Sequence, residues 1–250
     1  MNNKLLNKIV GWFGYKLIEK RNVKINKILS NDTVLNINAV LKSIFKKKEI
    51  KTIIQIGAND GLSFDDLNYY IKKYQSKSIL VEPISEIFYK LKENYKNFKN
   101  VFLEKSAISL DKDLKHLFKV DTKFLEKYGN HIPAISSFDK NHLIKHGVKK
   151  NHIIGEKVKT LSIMELIEKY QIKKLDLFFV DAEGYDGKIV YDLLIKSNLR
   201  PIIIFEYVHI DNNFFQKLLN ILKSKNFSCF NVGENLIAFP NEEKIEIFLN

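Results

Sequence analysis

From about residue 51, short apolar runs alternate with amphipathic stretches, and that rhythm leaves few architectures open. "KTIIQIG", "KSILVEP", "VFLEKSAIS", "KLDLFFVDAEG" and "PIIIFEYV" are apolar with little polar alternation. Strands apolar on both faces lie inside a parallel sheet. Between them, "SFDDLNYYIKKYQ", "SEIFYKLKENYKN" and "YDGKIVYDLLIKS" read as helices, and "NNFFQKLLNILKSK" follows as another. Such alternation implies right-handed crossovers and a doubly wound α/β sheet with helices on both faces. The end breaks the rule. "FSCFNVGENLIAFP" holds two strand-like runs around Gly-Glu-Asn, which predicts a C-terminal antiparallel hairpin.

Two segments fall outside the rhythm. Residues 1–49 read as an N-terminal helical extension, with a basic amphipathic helix over 4–20 and a second helix over 34–47. The first is suited either to packing on the domain or to lying on an anionic membrane surface. Residues 50–250 form the main domain. Within it, 110–160 has no clean period and holds His131, His142, His146 and His152. "DLKHLFKV" and "EKVKTLS" look like strands there; the remainder is expected to be an irregular insertion serving as a lid or substrate region.

The chain carries 41 Lys+Arg against 29 Asp+Glu, a formal charge of +12. Nearly all the positive charge is lysine; Arg21 and Arg200 are the only arginines. Base reading favours arginine forks, so no nucleic-acid partner is expected. One cysteine, Cys229, excludes a disulfide framework and a cysteine zinc site. The absence of a long apolar run or a cleavage signal favours a cytoplasmic location, with peripheral association at the inner membrane face left open.

Open α/β sheets bind ligands beyond the carboxyl ends of their strands. The first strand ends in Gly57-Ala58-Asn59-Asp60-Gly61. These glycines permit close backbone approach, and a helix amino end beyond them would favour an anionic group. The second strand ends in Glu82, about 20 residues on, where a carboxylate receives ribose hydroxyls. Ser106 and Ala107 end the third and could flank a purine ring. The fourth releases Asp181 and Glu183, which strand alternation would put on one side. Asp181 or Asp186 could instead cap the next helix. Near the fifth strand's end stand Glu206, His209 and Asp211.

The pieces "IIQIGANDG", "LVEP", "ISSF", "VKTLSIMELI", "LDLFFVDAEGYD" and "IIIFE" occur in one order over roughly residues 50–210. In these pieces the chain resembles the FkbM family of S-adenosylmethionine-dependent methyltransferases. The resemblance implies a Rossmann-like class I methyltransferase fold, with a mostly parallel seven-stranded sheet completed by the hairpin. It implies O-methylation of a sugar, polysaccharide, glycolipid or related natural product, with S-adenosyl-L-homocysteine as product. Gly57, Asn59, Asp60 and Gly61 would hold the methionine part of the cofactor, Glu82 the ribose, and Ser106 and Ala107 the adenine. Asp181 would lie near the methionine amine and the reacting centre. Two departures stand out: Gln55 occupies a position where such enzymes usually carry an acid, and Phe179 one where the family often has lysine.

A sugar hydroxyl is barely ionised at neutral pH, so a general base is expected. His209 is the first candidate, then Asp181 and Glu206; Ser136, Ser137 and Glu183 are placed with the substrate. No metal site is assigned, although Asp181, Glu206 and Asp211 offer the oxygen ligands that Mg²⁺ prefers. Two other readings compete. A nicotinamide-dependent oxidoreductase shares the glycine turn and the acid after the second strand, but it wants G-x-G-x-x-G. A catalytically inactive methyltransferase-fold module would use the lysine surface to bind an anionic glycan or membrane.

Overall fold

The computed structural model describes residues 36–110, 115–129, 132 and 135–242. The helix expected over 4–20 and His131 lie outside them. The described strands are β1 (Thr52–Ile56), β2 (Lys77–Val81), β3 (Val101–Glu104), β4 (Ala107–Ile108), β5 (Lys115–Val120), β6 (Ile153–Val158), β7 (Thr160–Leu161), β8 (Leu177–Val180), β9 (Ile202–Glu206), β10 (Phe227–Val232) and β11 (Asn235–Pro240). Seven of them form one sheet in the order β10-β11-β9-β8-β1-β2-β3. All neighbours are parallel except β10 with β11 and β11 with β9. The chain builds outward from β1 through β2 to β3, then returns to β8 on the other side of β1. The order therefore reverses between β1 and β8, the place where such sheets open a crevice.

The α-helices are α1 (Ile37–Lys47), α2 (Asn68–Tyr74), α3 (Ser85–Tyr95), α4 (Lys140–Lys145), α5 (Ile163–Lys169), α6 (Asp186–Lys196) and α7 (Asn212–Ser224). Successive strand residues point to opposite layers. Ile53, Leu80, Leu177, Phe179, Ile202 and Ile204 pack with α1, α2 and α3. Ile54, Ile79, Phe178, Val180, Ile203 and Phe205 pack with α5, α6 and α7. Both layers are buried, which is why these strands lack polar alternation. Phe178 and Phe205 are fully buried; truncating either to alanine costs about 3–5 kcal/mol. Local signals agree with the layers. Asn36 caps α1 by accepting from the Ala39 N–H at 2.8 Å, and Ser162 with Glu165 closes a capping box on α5.

Two expectations need correction. "VFLEKSAIS" is not one strand: it breaks after Glu104, and Ala107–Ile108 leaves the main sheet to pair with β7. In the 110–160 interval the expected strands form, at Lys115–Val120 and from Ile153 on, but the stretch between them has more order than its sequence shows. Strands β5 and β6 pair antiparallel from Lys115↔Val158 to Val120↔Ile153, and Asp139 caps the short α4. Val120, Ile132, Ile135, Leu143, Val148 and Ile153 make a small core of their own. Strand, turn and short helix share that core, so no single period appears. Glu156 ties this unit to the start of α3: it lies 2.8 Å from Lys119 Nζ and accepts from the Ser85 N–H (3.0 Å) and hydroxyl (2.8 Å). Among the described residues no helix is long and apolar enough to cross a membrane.

Candidate active site

At the crevice the main chain comes first. The Gly57 and Ala58 N–H groups both donate to the Val81 carbonyl at 3.0 Å, and Asp181 N–H donates to Ile56 O at 3.0 Å. Gly57 has φ 76°, and a Cβ there would sit 1.8 Å from the Asp181 carbonyl oxygen. No side chain fits between β1 and β8 at this point. Asn59 follows with φ 48°.

The next helix does not begin at the glycine turn, contrary to expectation. Asp60 Oδ1 accepts from the Leu62 and Ser63 N–H groups at 2.9 and 2.6 Å, and Asp65 Oδ1 from Leu67 N–H at 2.8 Å. These side chains hold the backbone in turns that compete with helix. The amino end of α2 is thus at Asn68. Gly61 faces inward: a Cβ would meet the Tyr95 ring at 2.5 Å. Asp60 and Gly61 shape the loop without lining the cavity.

The cavity measures about 460 Å³, within the roughly 300–1,000 Å³ usual for small-molecule sites. Gly57, Ala58, Asn59, Glu82, Ser106, Ala107, Ser136, Asp181, Glu183, Glu206 and His209 all line it. Ile108, Leu117, Ile135 and Phe138 supply an apolar wall. Ser137 stays out of the lining and donates its hydroxyl to the Glu183 carbonyl at 3.0 Å. Asp211 is also outside it; its Oδ1 caps α7 through Asn213 and Phe214 N–H at 3.0 and 3.2 Å. The oxygen triad of Asp181, Glu206 and Asp211 therefore does not assemble.

Charge in the cavity opposes charge on the protein. Asp65, Asp66, Glu82, Asp181, Glu183, Glu206 and Glu234 line it, and among the described residues no lysine or arginine does. Glu82 is 5% exposed and accepts the Ile84 N–H at 2.8 Å; burial pushes its pKa up to about 7. Asp181 opens onto the cavity, yet the protein around it displaces bulk water. That crowding, with Asp186, Glu183 and Glu206 nearby, raises its pKa well above the ordinary range. Glu206 is pushed up to about 8, first by burial, then by Asp186, Glu183 and Glu234, and it shares a hydrogen bond with Glu234. Three buried polar atoms on lining residues have no hydrogen-bond partner among the described residues: Gln55 Oε1, Asp65 Oδ2 and Ser106 Oγ. Gln55 Nε2 donates to Asp65 Oδ1 at 3.0 Å. A carboxylate thus returns to the place where Gln55 itself lacks one.

Asp186 is not the N-cap of α6; Tyr185 holds that position. Its carboxylate instead accepts from Ala182 and Gly184 N–H, each at 3.0 Å, and burial raises its pKa to about 7. The turn it closes ends strand alternation at Val180 and sets Glu183 at φ 49°. Glu183 then meets His142 Nε2 at 2.9 Å. His142 and His146, from the interval around α4, close on His209 with ring centroids 4.7 and 5.3 Å away. His209 has its pKa lowered by burial and by these two rings.

Sequence reading missed Asp65, Asp66 and Glu234, and it left His142 and His146 without a place. Glu234 stood in view within Gly-Glu-Asn but read only as turn chemistry. His142 and His146 carried a usable signal, four residues apart beside a capping Asp139.

Residues 55–229 match the profile of the methyltransferase FkbM domain. No curated protein matches the chain. Among solved structures, the O-methyltransferase from Bacillus cereus in complex with SAH is 11% identical, covers 94% of this chain and 97% of its own, and has a TM-score of 0.45. Methyltransferase FkbM from Methylobacillus flagellatus KT is 10% identical over 76% of this chain and 44% of its own, with a TM-score of 0.45. Ribosomal protein L11 methylase from Lactobacillus delbrueckii subsp. bulgaricus is 14% identical over 80% and 75%, with a TM-score of 0.39.

Proposed function

The chain belongs to the FkbM methyltransferase family, and from that premise we propose that it methylates a hydroxyl oxygen of a sugar, glycolipid or related natural product. Its cofactor is S-adenosylmethionine, which when bound supplies an activated methyl group on a sulfonium cation. The observation that carries the reading is the carboxyl-lined cavity in a chain of net charge +12.

The residues present suit this cofactor. Gln55 Oε1 and Asp65 Oδ2 are acceptors without partners among the described residues, as an ammonium group requires. Glu82 would take the ribose hydroxyls, and Ser106 Oγ stands beside the apolar wall as a partner for adenine. Asp181 and the other acids favour a cation, and a cation in turn favours their ionised forms. A dinucleotide's pyrophosphate would meet the same acids as repulsion, which weighs against the nicotinamide alternative.

The same field selects the acceptor. A phosphate or carboxylate near Asp181, Glu206 and Glu234 is penalised, whereas a neutral hydroxyl is not. Holding that hydroxyl in line with the methyl group can contribute roughly 7–11 kcal/mol. The acceptor's proton passes to Glu206, whose pKa near 8 suits a base working close to neutrality.

The test is methyl transfer, followed by mass, from S-adenosylmethionine to a panel of neutral glycans and glycolipids. Glu206→Gln should lower kcat about 10²–10⁴-fold while keeping S-adenosylhomocysteine affinity within a few-fold. Transfer confined to nitrogen or sulfur acceptors would defeat the proposal.

A further inference from the structure

Three imidazoles meet at the mouth of the cavity. His142 lies on α4 and His146 directly after it, four residues apart and so on one helical face. His209 arrives from the loop after β9. Each residue offers one nitrogen, and the three nitrogens lie within 4.8 Å of one another. His146 and His209 line the cavity beside Glu206 and Asp181.

One of the rings carries the carboxylate partner typical of metal-bound histidine: Glu183 Oε2 is 2.9 Å from His142 Nε2, while Glu206 Oε1 stands 3.7 Å from His209 Nε2, beyond hydrogen-bond distance. With Glu183 on Nε2, Nδ1 is the His142 nitrogen left for a metal. That edge lies beside Gly184, as does His209: a Cβ on Gly184 would lie 3.8 Å from His142 Nδ1 and 3.6 Å from His209 Cβ. Packing alone gives no reason to gather three imidazoles from two distant segments around bare glycine backbone.

We infer that His142, His146 and His209 bind one divalent transition-metal ion of the Zn²⁺ class, whose open position receives the acceptor hydroxyl. Three neutral nitrogens with a vacant fourth place are the donor set of catalytic zinc, and imidazole suits Zn²⁺ or Co²⁺ better than Mg²⁺. Bound zinc nitrogens stand roughly 3.3 Å apart for Zn–N near 2.0–2.1 Å, so binding would draw the three rings closer together. The acid-lined mouth adds attraction for a dication. The acceptor's part in this inference rests on the methyltransferase reading above; the metal's part does not.

The test uses the full chain, without a histidine tag and stripped by chelator. Co²⁺ is titrated by visible absorption and Zn²⁺ by calorimetry. One equivalent of each is expected, with the intense visible bands of low-coordinate cobalt. His146→Ala and His209→Ala should each weaken Zn²⁺ about 100-fold or more, and Glu183→Gln about 10–100-fold, with circular dichroism confirming a folded protein. Binding below one equivalent, or unchanged in both histidine variants, overturns the site. S-adenosylhomocysteine titrated into metal-free protein tests the methyltransferase reading separately. If Zn²⁺ binds yet chelation leaves methyl transfer unchanged, the acceptor role is overturned.

Discussion

Glu82→Gln tests the site through two effects of opposite sign. In the folded protein burial lifts the Glu82 pKa from its ordinary 4.5 to about 7. The folded state then holds a proton that the unfolded chain releases. Stability attributable to this group falls as pH rises from about 4.5 to about 7, and above 7 the full cost is present. That span of about 2.5 pH units corresponds to about 3 kcal/mol. Glutamine keeps the shape and one acceptor for the Ile84 N–H but carries no charge. At pH 8.5 the cofactor-free variant should therefore be more stable by about 1–3 kcal/mol, or roughly 2–12 °C in Tm at about 2–4 °C per kcal/mol. At pH 4.5 the gain should vanish. Cofactor binding should move the other way. Replacing charge-assisted hydrogen bonds to ribose forfeits about 1.5–3 kcal/mol, which is roughly 10–150-fold in S-adenosylhomocysteine affinity. Differential scanning fluorimetry at both pH values and calorimetric titration at pH 8.5 read the two effects. Equal destabilisation at both pH values with unchanged affinity would refute the idea that a desolvated carboxylate is kept here for the cofactor.

Three further outcomes are expected. Gly57→Ala, at φ 76° and 1.8 Å from the Asp181 carbonyl, should lose about 2–5 kcal/mol from backbone strain and overpacking, measured by urea unfolding. Asp186→Ala strips the acceptor from the Ala182 and Gly184 N–H groups and should cost about 2–4 kcal/mol at pH 6, with wild-type stability there as the contrary result. S-adenosylhomocysteine affinity should rise from pH 6 to 8.5 as Glu82, near 7, and Glu206, near 8, ionise. Glu206→Gln should flatten the upper part of that rise, and a flat wild-type profile would contradict it.

What the sequence disclosed follows from burial. Ile53, Ile54, Leu80, Phe178 and Ile203 sit between two helical layers, so their strands are apolar without interruption and were legible. The hairpin was legible because Gly-Glu-Asn marks it. The start of α2 was not, because Asp60 and Asp65 hold the chain in side-chain-closed turns that no apolar spacing records. Strand reasoning found Glu82, Asp181 and Glu206, since each leaves the end of a buried run. It could not find Asp65 or His142, whose places depend on loop paths; nor could it see that Asp186 bends the chain and frees Glu183 from the strand's alternation.

The position of β11 between β9 and β10 has a consequence for biosynthesis. Glu234 directly precedes that strand, so the acidic pair it makes with Glu206 cannot exist until the hairpin threads into the sheet. At about 5–20 residues per second, the ribosome reaches Pro240 roughly 10–40 s after Gly57. A nascent chain therefore holds its glycine-turn segment well before the Glu206–Glu234 side of the crevice is in place.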